Sequence, residues 1–296
     1  MPDRKRKEKP SVSIIGAGRL GTALAVALAA KRYEIKSLVA RRVERARKAA
    51  TLVRKTATVL DGEIAALAAK QIAALPSSDL FLITVPDDQI ASVAAQLAEL
   101  KLDRKATALH TSGALSAEEL APLKTRGWNT GSVHPLISVS DAEAPIDGAF
   151  WSVEGDASAI RVAKRLVRDL NGTSFSIRSA DKPLYHAAAV MTSGSVTALF
   201  DVALEMLVAA GLTRNTARQV LQPLLVSTVH NLETKDTSQA LTGTFSRGDV
   251  ETVKRHLAAL KQHKLADALD LYCRLGKRSL KIAKKRTGIT RILDRC

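Results

Sequence analysis

The sequence predicts an α/β fold, in which a doubly wound, mostly parallel sheet is followed by an all-α domain. Three observations support this prediction. Apolar β-branched runs alternate with helical patterns in the first part of the chain, the first run ends in three glycines, and from Asp181 onward only long helical patterns follow. In a chain of 296 residues, these patterns predict a disordered basic tail over residues 1–10, a sheet domain over 11–178 and an all-α C-terminal domain over 179–296.

The first strand and helix flank a glycine-rich turn. The strand Val12–Ile15 leads into glycines spaced G-x-G-x-x-G, and an alanine-rich helical pattern follows. The first glycine permits a tight turn, the second lets the backbone approach a pyrophosphate, and the third lets helix and strand pack closely. Because the helix directs unpaired N–H groups at phosphates, the turn predicts a Rossmann-type dinucleotide-binding domain. The cofactor contacts predicted here are Gly16, Gly18, Arg19, Leu20 and Gly21.

The second predicted strand, Glu34–Ala40, indicates which dinucleotide binds. NAD enzymes usually place Asp or Glu at the end of this strand, where the carboxylate holds the ribose 2′-hydroxyl. Here Ala40 occupies that position, and Arg41 and Arg42 follow it. A guanidinium group can bind a 2′-phosphate through two hydrogen bonds, so we expect NADP (as NADPH) rather than NAD. The alternative is that the two arginines are only the basic start of the next helix.

The next part of the chain predicts two further strands of the sheet. Residues 55–78 are ambiguous, with an alanine-rich helical segment at Ile64–Ala74 and room for a short strand before it. Asp79–Pro86 is almost continuously apolar, as a buried parallel strand should be, and Ala106–His110 follows after a helix. Open α/β sheets bind ligands at the carboxyl ends of their strands. We therefore predict that Val85, Pro86 and Ser112 contact the cofactor.

The remaining patterns complete the sheet and then become purely helical. A strand or loop is predicted at Gly131–Leu136, and a strand–helix–strand unit at Phe150–Val153, Ala157–Leu170 and Ser174–Ile177. The predicted helices of the second domain are Tyr185–Ala210, Thr213–Leu232, Val250–Lys261 and Ala266–Lys285.

Composition limits the partners that we expect. The net charge of +16 could indicate nucleic acid or an acidic membrane surface. The cations, however, cluster in the tail and between Arg274 and Arg295 without interleaved aromatic residues, so we expect a solvated basic surface and no nucleic-acid partner. A polyanion-binding protein is the alternative. With no apolar run of about 18 residues, no signal peptide and two cysteines that form no metal-ligand cluster, we expect a cytoplasmic protein without a membrane span or a metal.

Histidines and one lysine are the candidates for chemistry. Hydride transfer to a carbonyl leaves negative charge on oxygen, and His or Lys can donate the proton or stabilise that charge. His110 and His134 lie at predicted strand ends, and Lys182 and His186 share a helix face. We predict His134, His186 and Lys182 as catalytic residues, and His110, Ser112 and Ser193 as substrate-binding residues.

Each candidate also has an ordinary structural explanation. His134 precedes Pro135 and can be a hydrogen-bonded loop anchor, and Lys182 at a helix start can be solvated. The other three histidines lie on amphipathic helices, where packing or surface roles are expected; they are His230, His256 and His263.

Several motifs together resemble one family, the Rossmann-like proteins that carry a DUF2520 domain. The motifs are Gly16–Gly21, Val85–Asp88, His110–Gly113, Gly131–Leu136, Tyr185–Ala188, Ala240–Gly243, Arg247–Asp249 and Thr252–Leu257. The family looks like a branch of the 6-phosphogluconate-dehydrogenase-like reductases, related to pyrroline-5-carboxylate and ketopantoate reductases. The resemblance therefore implies an NADP-dependent oxidoreductase. The G-x-x-H-P piece is also similar to prephenate and arogenate dehydrogenases, which implies a catalytic histidine at His134 alone.

Two positions depart from the family pattern. Gly194 follows Ser193 where the family usually has Asn, which related reductases aim at substrate or nicotinamide, and Thr244 replaces an expected Pro. Neither departure touches the cofactor motif.

These observations lead to one expected function and to alternatives. We expect an NADP-dependent oxidoreductase that reduces a small carboxylated 2-oxo or imino compound in a cleft between the domains. The alternatives are a catalytically silent NADP(H)-binding sensor, suggested by Gly194, and an enzyme like prephenate or arogenate dehydrogenase. The apolar faces of Tyr185–Ala210 and Thr213–Leu232 also predict a homodimer that forms through the helical domain.

Overall fold

The computed structural model describes residues 9–56, 62–102, 106–284 and 288–294. Eight strands of these residues form one sheet, in the order β3-β2-β1-β4-β5-β6-β7-β8. The strands are β1 (Val12–Ile15), β2 (Ile35–Ala40), β3 (Ala65–Ala68), β4 (Leu80–Ile83), β5 (Thr107–His110), β6 (Asn129–Pro135), β7 (Phe150–Gly155) and β8 (Thr173–Ser176). All neighbouring strands are parallel except β6 and β7, which are antiparallel. The predicted fold class is confirmed.

Helices alternate with the strands and then continue alone. Those interleaved with or directly following the strands are α1 (Arg19–Ala30), α2 (Val43–Thr56), α3 (Ile90–Glu99), α4 (Ala121–Thr125), α5 (Ala157–Asp169) and α6 (Lys182–Thr192). The later ones are α7 (Gly194–Ala209), α8 (Arg214–Thr234), α9 (Thr237–Ala240), α10 (Thr244–Arg247), α11 (Val250–Gln262), α12 (Ala266–Ile282) and α13 (Gly288–Leu293). The chain divides into two compact units, one ending at Met191 and the other beginning at Thr192.

The sheet is covered by helices on both faces, which is why its central strands β1, β4 and β5 are buried along their whole length. Ile14 packs in the same cluster as Leu28 of α1 and Leu166 of α5. The next residue in the strand, Ile15, packs in a second cluster with Leu97 of α3. Alternate residues of one strand thus supply two cores, and each fully buried aliphatic side chain contributes roughly 1.5–3 kcal/mol.

The helix predicted over Ile64–Ala74 is wrong. Its first part is strand β3, and only Ala69–Ala74 is helical, as a 3₁₀ turn. Strand β3 pairs with β2 in parallel, with Ala65 opposite Ser37 and Ala68 opposite Ala40. Helix propensity is a weak preference of a few tenths of a kcal/mol per residue, and the hydrogen bonds of the sheet edge outweigh it.

The long helix predicted over Tyr185–Ala210 is divided at Ser193 into α6 and α7. The helical stretch Ser179–Ala209 contains an 18-residue window with a mean hydropathy of 1.5, so it is long and apolar enough to cross a membrane by length and composition. Scattered polar residues interrupt every apolar run in this stretch, which is why the sequence shows no continuous run of that length, but they do not lower the average enough to fail the test. One such helix is weak evidence for a membrane protein, since helices of soluble proteins pass the same test.

The predicted basic tail lies mostly outside the described residues, which begin at Lys9. The Lys9 ammonium group lies 3.3 Å from the carboxylate of Asp169 and 4.8 Å from the centre of the Tyr33 ring. The Tyr33 hydroxyl donates to the same carboxylate at 2.8 Å. These contacts attach the end of the tail to the C-terminal end of α5.

The second unit has a small core and long apolar surfaces. The core is formed by α11, α12 and α13, and it includes Val253, Leu257, Leu280 and Leu293. Helices α7 and α8 bury only one residue each in the described part of the chain, Leu204 and Ala217.

Candidate active site

Two glycines of the turn after β1 are required by packing. Gly16 has φ = +115°, and a Cβ on it would lie 2.6 Å from the backbone of Thr84. A Cβ on Gly21 would collide with the carbonyl oxygen of Gly16 and with the Thr84 hydroxyl. Because both residues lack a Cβ, α1 and the residue after β4 can pack directly on the turn, as the motif predicts.

Gly18 has a different reason to be glycine. A Cβ at this position would meet no atom nearer than 3.9 Å, so packing within the protein does not exclude a side chain. Gly18 immediately precedes α1, whose first N–H groups have no partner within the helix. A side chain would occupy the space in front of these donors, and a pyrophosphate fits there instead. The residues present therefore fit a dinucleotide.

The end of β2 lies beside this turn. The N–H groups of Gly16 and Ala17 donate to the carbonyl oxygen of Val39 at 2.8 and 2.7 Å. Ala40 is buried, and Arg41 and Arg42 follow it on the surface. Arg41 and Arg42 thus follow Val39, whose carbonyl oxygen holds the turn, by two and three residues.

The other predicted cofactor contacts surround the same turn. The Thr84 hydroxyl donates to Gly16 at 2.7 Å, so the half-buried Val85 and the exposed Pro86 continue from a residue in direct contact with it. Leu20 packs on the core below the turn, and the Arg19 guanidinium donates to the carbonyl oxygen of Ser140 at 3.3 Å.

His110 and Ser112 at the end of β5 bond to each other and to their own loop. The N–H of Ser112 donates to Nδ1 of His110 at 3.2 Å, so Nε2 carries the ring proton and donates to the carbonyl oxygen of Ser116 at 2.9 Å. The Ser112 hydroxyl donates to the Asp87 carboxylate at 2.8 Å and accepts from two N–H groups, those of Ala114 and Leu115. Both side chains therefore use all their hydrogen-bonding capacity within the protein.

Lys182 is buried, with only 1% of its surface exposed. Its ammonium group donates to the Ser132 hydroxyl at 2.7 Å and to the carbonyl oxygen of Ser112 at 3.2 Å. Burial lowers the pKa of Lys182, and the nearby carboxylates of Glu154 and Asp87 oppose that shift. The expectation of a solvated lysine at a helix start does not apply here, because α6 begins against the ends of β5 and β6.

His134 and His186 meet over Gly113. A Cβ on Gly113 would lie 2.5 Å from Nδ1 of His186 and 2.9 Å from Cε1 and Nε2 of His134. The two rings are nearly perpendicular, with centroids 5.6 Å apart. Nδ1 of His186 is buried and has no hydrogen-bond partner in the described part of the chain. An unsatisfied buried nitrogen is costly, so this atom marks a place where a ligand group can bind.

Tyr185 is the hydrogen-bond partner of His134. Its hydroxyl lies 2.8 Å from Nδ1 of the imidazole, and the two rings meet edge to face at 5.6 Å. Phe175 also packs edge to face against Tyr185, with centroids 5.8 Å apart. The ring of His134 is thus fixed from α6, and Nε2 is the nitrogen that faces Gly113.

Burial keeps His110 and His134 neutral. It lowers the pKa of His110 to about 4, and the positive charge of Lys182 adds to this effect. Burial also lowers the pKa of His134 to about 4, and His186 and Lys182 lower it further. Strongly perturbed groups in one place are typical of functional sites.

Some residues of this region were not predicted, and one predicted residue, Ser193, belongs to the second unit. Ser132 and His134 alternate along β6 and share one face, so the two-residue period could have revealed Ser132. Tyr185 directly precedes His186, but no local pattern links it to His134. Ser193 is exposed in the second unit, where it precedes α7.

Two known domain families match the chain. Residues 2–135 match the Rossmann-like domain, and residues 149–279 match a domain of unknown function, DUF2520. The chain is a Rossmann-like protein with a DUF2520 domain. Together these matches confirm the resemblance inferred from the motifs. No curated protein matches the sequence significantly.

Solved structures share the fold at low sequence identity. A candidate NADP oxidoreductase from Bacteroides fragilis is 21% identical, with a TM-score of 0.75, over 92% of this chain and 98% of its own. The reductive aminase of Aspergillus terreus, in complex with NADPH and ethyl levulinate, is 16% identical, with a TM-score of 0.66, over 97% and 99%. A pyrroline-5-carboxylate reductase from Coxiella burnetii is 14% identical, with a TM-score of 0.57, over 94% and 98%.

Proposed function

We propose that the chain is an NADP-dependent oxidoreductase that reduces a small carboxylated 2-oxo or imino compound. The observation that carries the proposal is the pair of imidazoles over Gly113, at the same sheet edge as the glycine-rich turn. Strands β1, β4, β5 and β6 are parallel, so the turn and both histidine-bearing strand ends lie at their carboxyl edge. NADP-linked proteins among the structural neighbours support the choice of cofactor.

The proposed cofactor, NADPH, would be held by residues at the end of β1 and β2. The helix N-terminus behind Gly18 would receive the pyrophosphate, and Arg41 and Arg42 would hold the 2′-phosphate. NADPH supplies a hydride when it is bound.

The proposed roles of the side chains follow from their burial. His134 would donate an N–H to the substrate oxygen or nitrogen, because Nε2 faces the space over Gly113. His186, through its unpartnered Nδ1, would bind a second polar group. The ammonium group of Lys182 is occupied by Ser112 and Ser132, so Lys182 would not contact the substrate. Its positive charge would instead stabilise negative charge that develops on the substrate nearby. His110 and Ser112 would hold the loop in place.

The test is a panel of 2-oxo acids and cyclic imines, with NADPH oxidation followed by absorbance. His134→Asn should lower turnover about 10²–10⁴-fold and leave NADPH affinity unchanged. His256→Asn is the matched control, because His256 also bonds a tyrosine hydroxyl through Nδ1 but lies exposed in the second unit. Tight NADPH binding without turnover of any compound would favour the silent sensor.

We propose further that the chain forms a homodimer through α7 and α8. Their exposed residues include Leu199 (42%), Val220 (55%), Leu224 (63%), Val226 (61%), Val229 (50%) and Leu232 (52%). Two helices that bury one residue each gain little from folding alone, and a second copy could cover both faces symmetrically. Light scattering of the wild-type protein should show a mass of twice the 31.7 kDa of one chain. Leu224→Glu should lower the measured mass to that of a single chain. A wild-type monomer at micromolar concentration would refute this proposal.

A further inference from the structure

We infer that Tyr185 fixes the tautomer of His134, so that the imidazole presents an N–H rather than a lone pair to the space over Gly113. The functional part of this inference rests on the proposed reductase activity. The part that concerns the tautomer rests only on the contacts of α6 with β6, which belong to the same unit.

The direction of the hydrogen bond follows from the partners of the tyrosine. A tyrosine hydroxyl carries one proton, and Nδ1 of His134, at 2.8 Å, is its hydrogen-bond partner in the described part of the chain. If the imidazole donated instead, the hydroxyl proton would have no protein acceptor in that part of the chain. Ser152 lies directly opposite His134 across β6 and β7, and its buried hydroxyl has no hydrogen-bond partner within standard distance in the described part of the chain. Its proximity lowers the pKa of Tyr185, as a donor to the tyrosine oxygen does, so Ser152 does not serve as the acceptor of the phenol proton. Tyr185 therefore donates, and Nδ1 accepts.

Acceptance at Nδ1 determines the state of Nε2. A neutral imidazole has one N–H and one lone pair, so a ring that accepts at Nδ1 must carry its proton on Nε2. Burial raises the pKa of Tyr185 and lowers that of His134 to about 4, so both groups are neutral near pH 7. The other titratable groups near His134 include His110, His186 and Lys182, and the last two oppose a positive charge on the ring.

The arrangement also solves a difficulty in proton transfer. A neutral imidazole that loses its only ring proton becomes an anion, which makes it a poor acid. If the Tyr185 O–H proton moves to Nδ1 while the Nε2 proton moves to the substrate oxygen or nitrogen, the ring stays neutral. One O–H bond of the tyrosine and one N–H bond at Nε2 break, and one bond forms at Nδ1 and one on the substrate. Afterwards a proton from solvent binds Nε2 while Nδ1 returns its proton to the phenolate, which restores the starting state of both groups.

The neighbouring nitrogen makes the choice of tautomer matter. Nδ1 of His186 and Nε2 of His134 both lie within 3 Å of the position of a Cβ on Gly113. With the proton on Nε2, His134 offers a donor at this point. With the proton on Nδ1, it would offer only a lone pair, and no proton could be delivered from this ring.

The test is ¹⁵N NMR of the histidine side chains in the full-length protein without substrate. The two nitrogens of His134, assigned with His134→Asn, should show a protonated Nε2 and an unprotonated Nδ1 at pH 7. Tyr185→Phe should move both signals toward a mixture of tautomers. Tyr272→Phe is the matched control: it should change the signals of His256, whose Nδ1 bonds Tyr272 at 2.7 Å, and leave those of His134 unchanged.

Kinetics separate a change of tautomer from a general loss of structure. Tyr185→Phe should lower turnover at least tenfold, with unchanged NADPH affinity and substrate KM, whereas Tyr272→Phe should retain wild-type turnover. Protonated Nδ1 in the wild-type protein would overturn the inference even if Tyr185→Phe did not fold. So would His134 signals that do not respond to Tyr185→Phe. A protein that reduces nothing would defeat the proposed function, whereas the NMR result would still decide the tautomer.

Discussion

The two units contain the same pair of side chains in opposite settings. In the first unit His134 bonds Tyr185, and in the second His256 bonds Tyr272, each through Nδ1 and a phenol hydroxyl, at 2.8 and 2.7 Å. The first pair lies against a second imidazole, a buried lysine and a glycine that leaves room for both rings. His256 lies on an exposed helix face.

A hydrogen-bonded histidine and tyrosine therefore occur in both units, and only the pair in the first unit is enclosed. What differs is enclosure, which lowers the pKa of His134 to about 4 and leaves a polar nitrogen of His186 without a partner. The burial responsible comes from the sheet edge, where several strands end together. The helical unit has no sheet to provide such an edge among the residues that the structure describes.

The largest expected effect comes from filling the space under the two rings. In Gly113→Ala, the new methyl group would lie 2.5–2.9 Å from both imidazoles, so at least one ring must move. We expect turnover to fall about 10²–10⁴-fold, as for loss of a general acid, with NADPH affinity unchanged. Gly194→Ala is the control in the second unit, because its Cβ would meet nothing within 4 Å. Equal turnover of the two variants would contradict a role for the enclosed imidazoles of the first unit in the reaction.

The next effect is on stability in acid, and it should be confined to the first unit. His110 is fully buried, with a pKa lowered from 6.5 to about 4, so the unfolded chain binds a proton in this interval and the folded protein does not. Stability is therefore fully present above pH 6.5 and is lost as the pH falls toward 4, by about 3 kcal/mol for this residue. His134 acts in the same direction.

The tryptophans allow this acid effect to be measured on the first unit alone. The only two tryptophans, Trp128 and Trp151, are both buried in that unit. Their fluorescence should report a urea midpoint that falls from pH 7 to pH 5, and the fall should be smaller in His110→Asn. A midpoint that does not vary with pH in the wild-type protein would show that His110 is not buried as a neutral ring.

Much of the first unit could be predicted from sequence because its signals are local. The glycine spacing, the apolar strands and the helices between them each depend on neighbouring residues, and apart from Ile64–Ala74 they appear near their predicted bounds. The strand β3 was missed because alanines favour helices, and only its pairing with β2 makes them a strand. The bond between Tyr185 and His134 spans 51 residues and depends on where α6 begins, which no periodicity encodes.

A smaller effect is expected on cofactor affinity, and it should arise from an arginine of the first unit but not from one of the second. If Arg41 holds a 2′-phosphate, Arg41→Ala should weaken NADPH binding by about 1–3 kcal/mol, the range for a lost hydrogen bond to a charged group, and leave NADH binding unchanged. Arg255→Ala, an exposed arginine on α11, should change neither affinity. Calorimetric titration with both nucleotides measures this. Equal affinity of the wild-type protein for NADPH and NADH would contradict the assignment of Arg41.

The smallest expected effect concerns an exposed charge pair in the helical unit, in contrast to the buried Lys182. The Arg274 guanidinium lies 2.8 Å from the Asp270 carboxylate one turn earlier in α12, and the two side chains are 76% and 65% exposed. Water screens such a pair, so its coupling energy should be about 0.3–0.5 kcal/mol. A double-mutant cycle with Arg274→Ala and Asp270→Ala, followed by urea unfolding, measures it. A coupling above about 1 kcal/mol would mean that this helix face is covered in solution, because only exclusion of water strengthens an ion pair of this geometry to that extent.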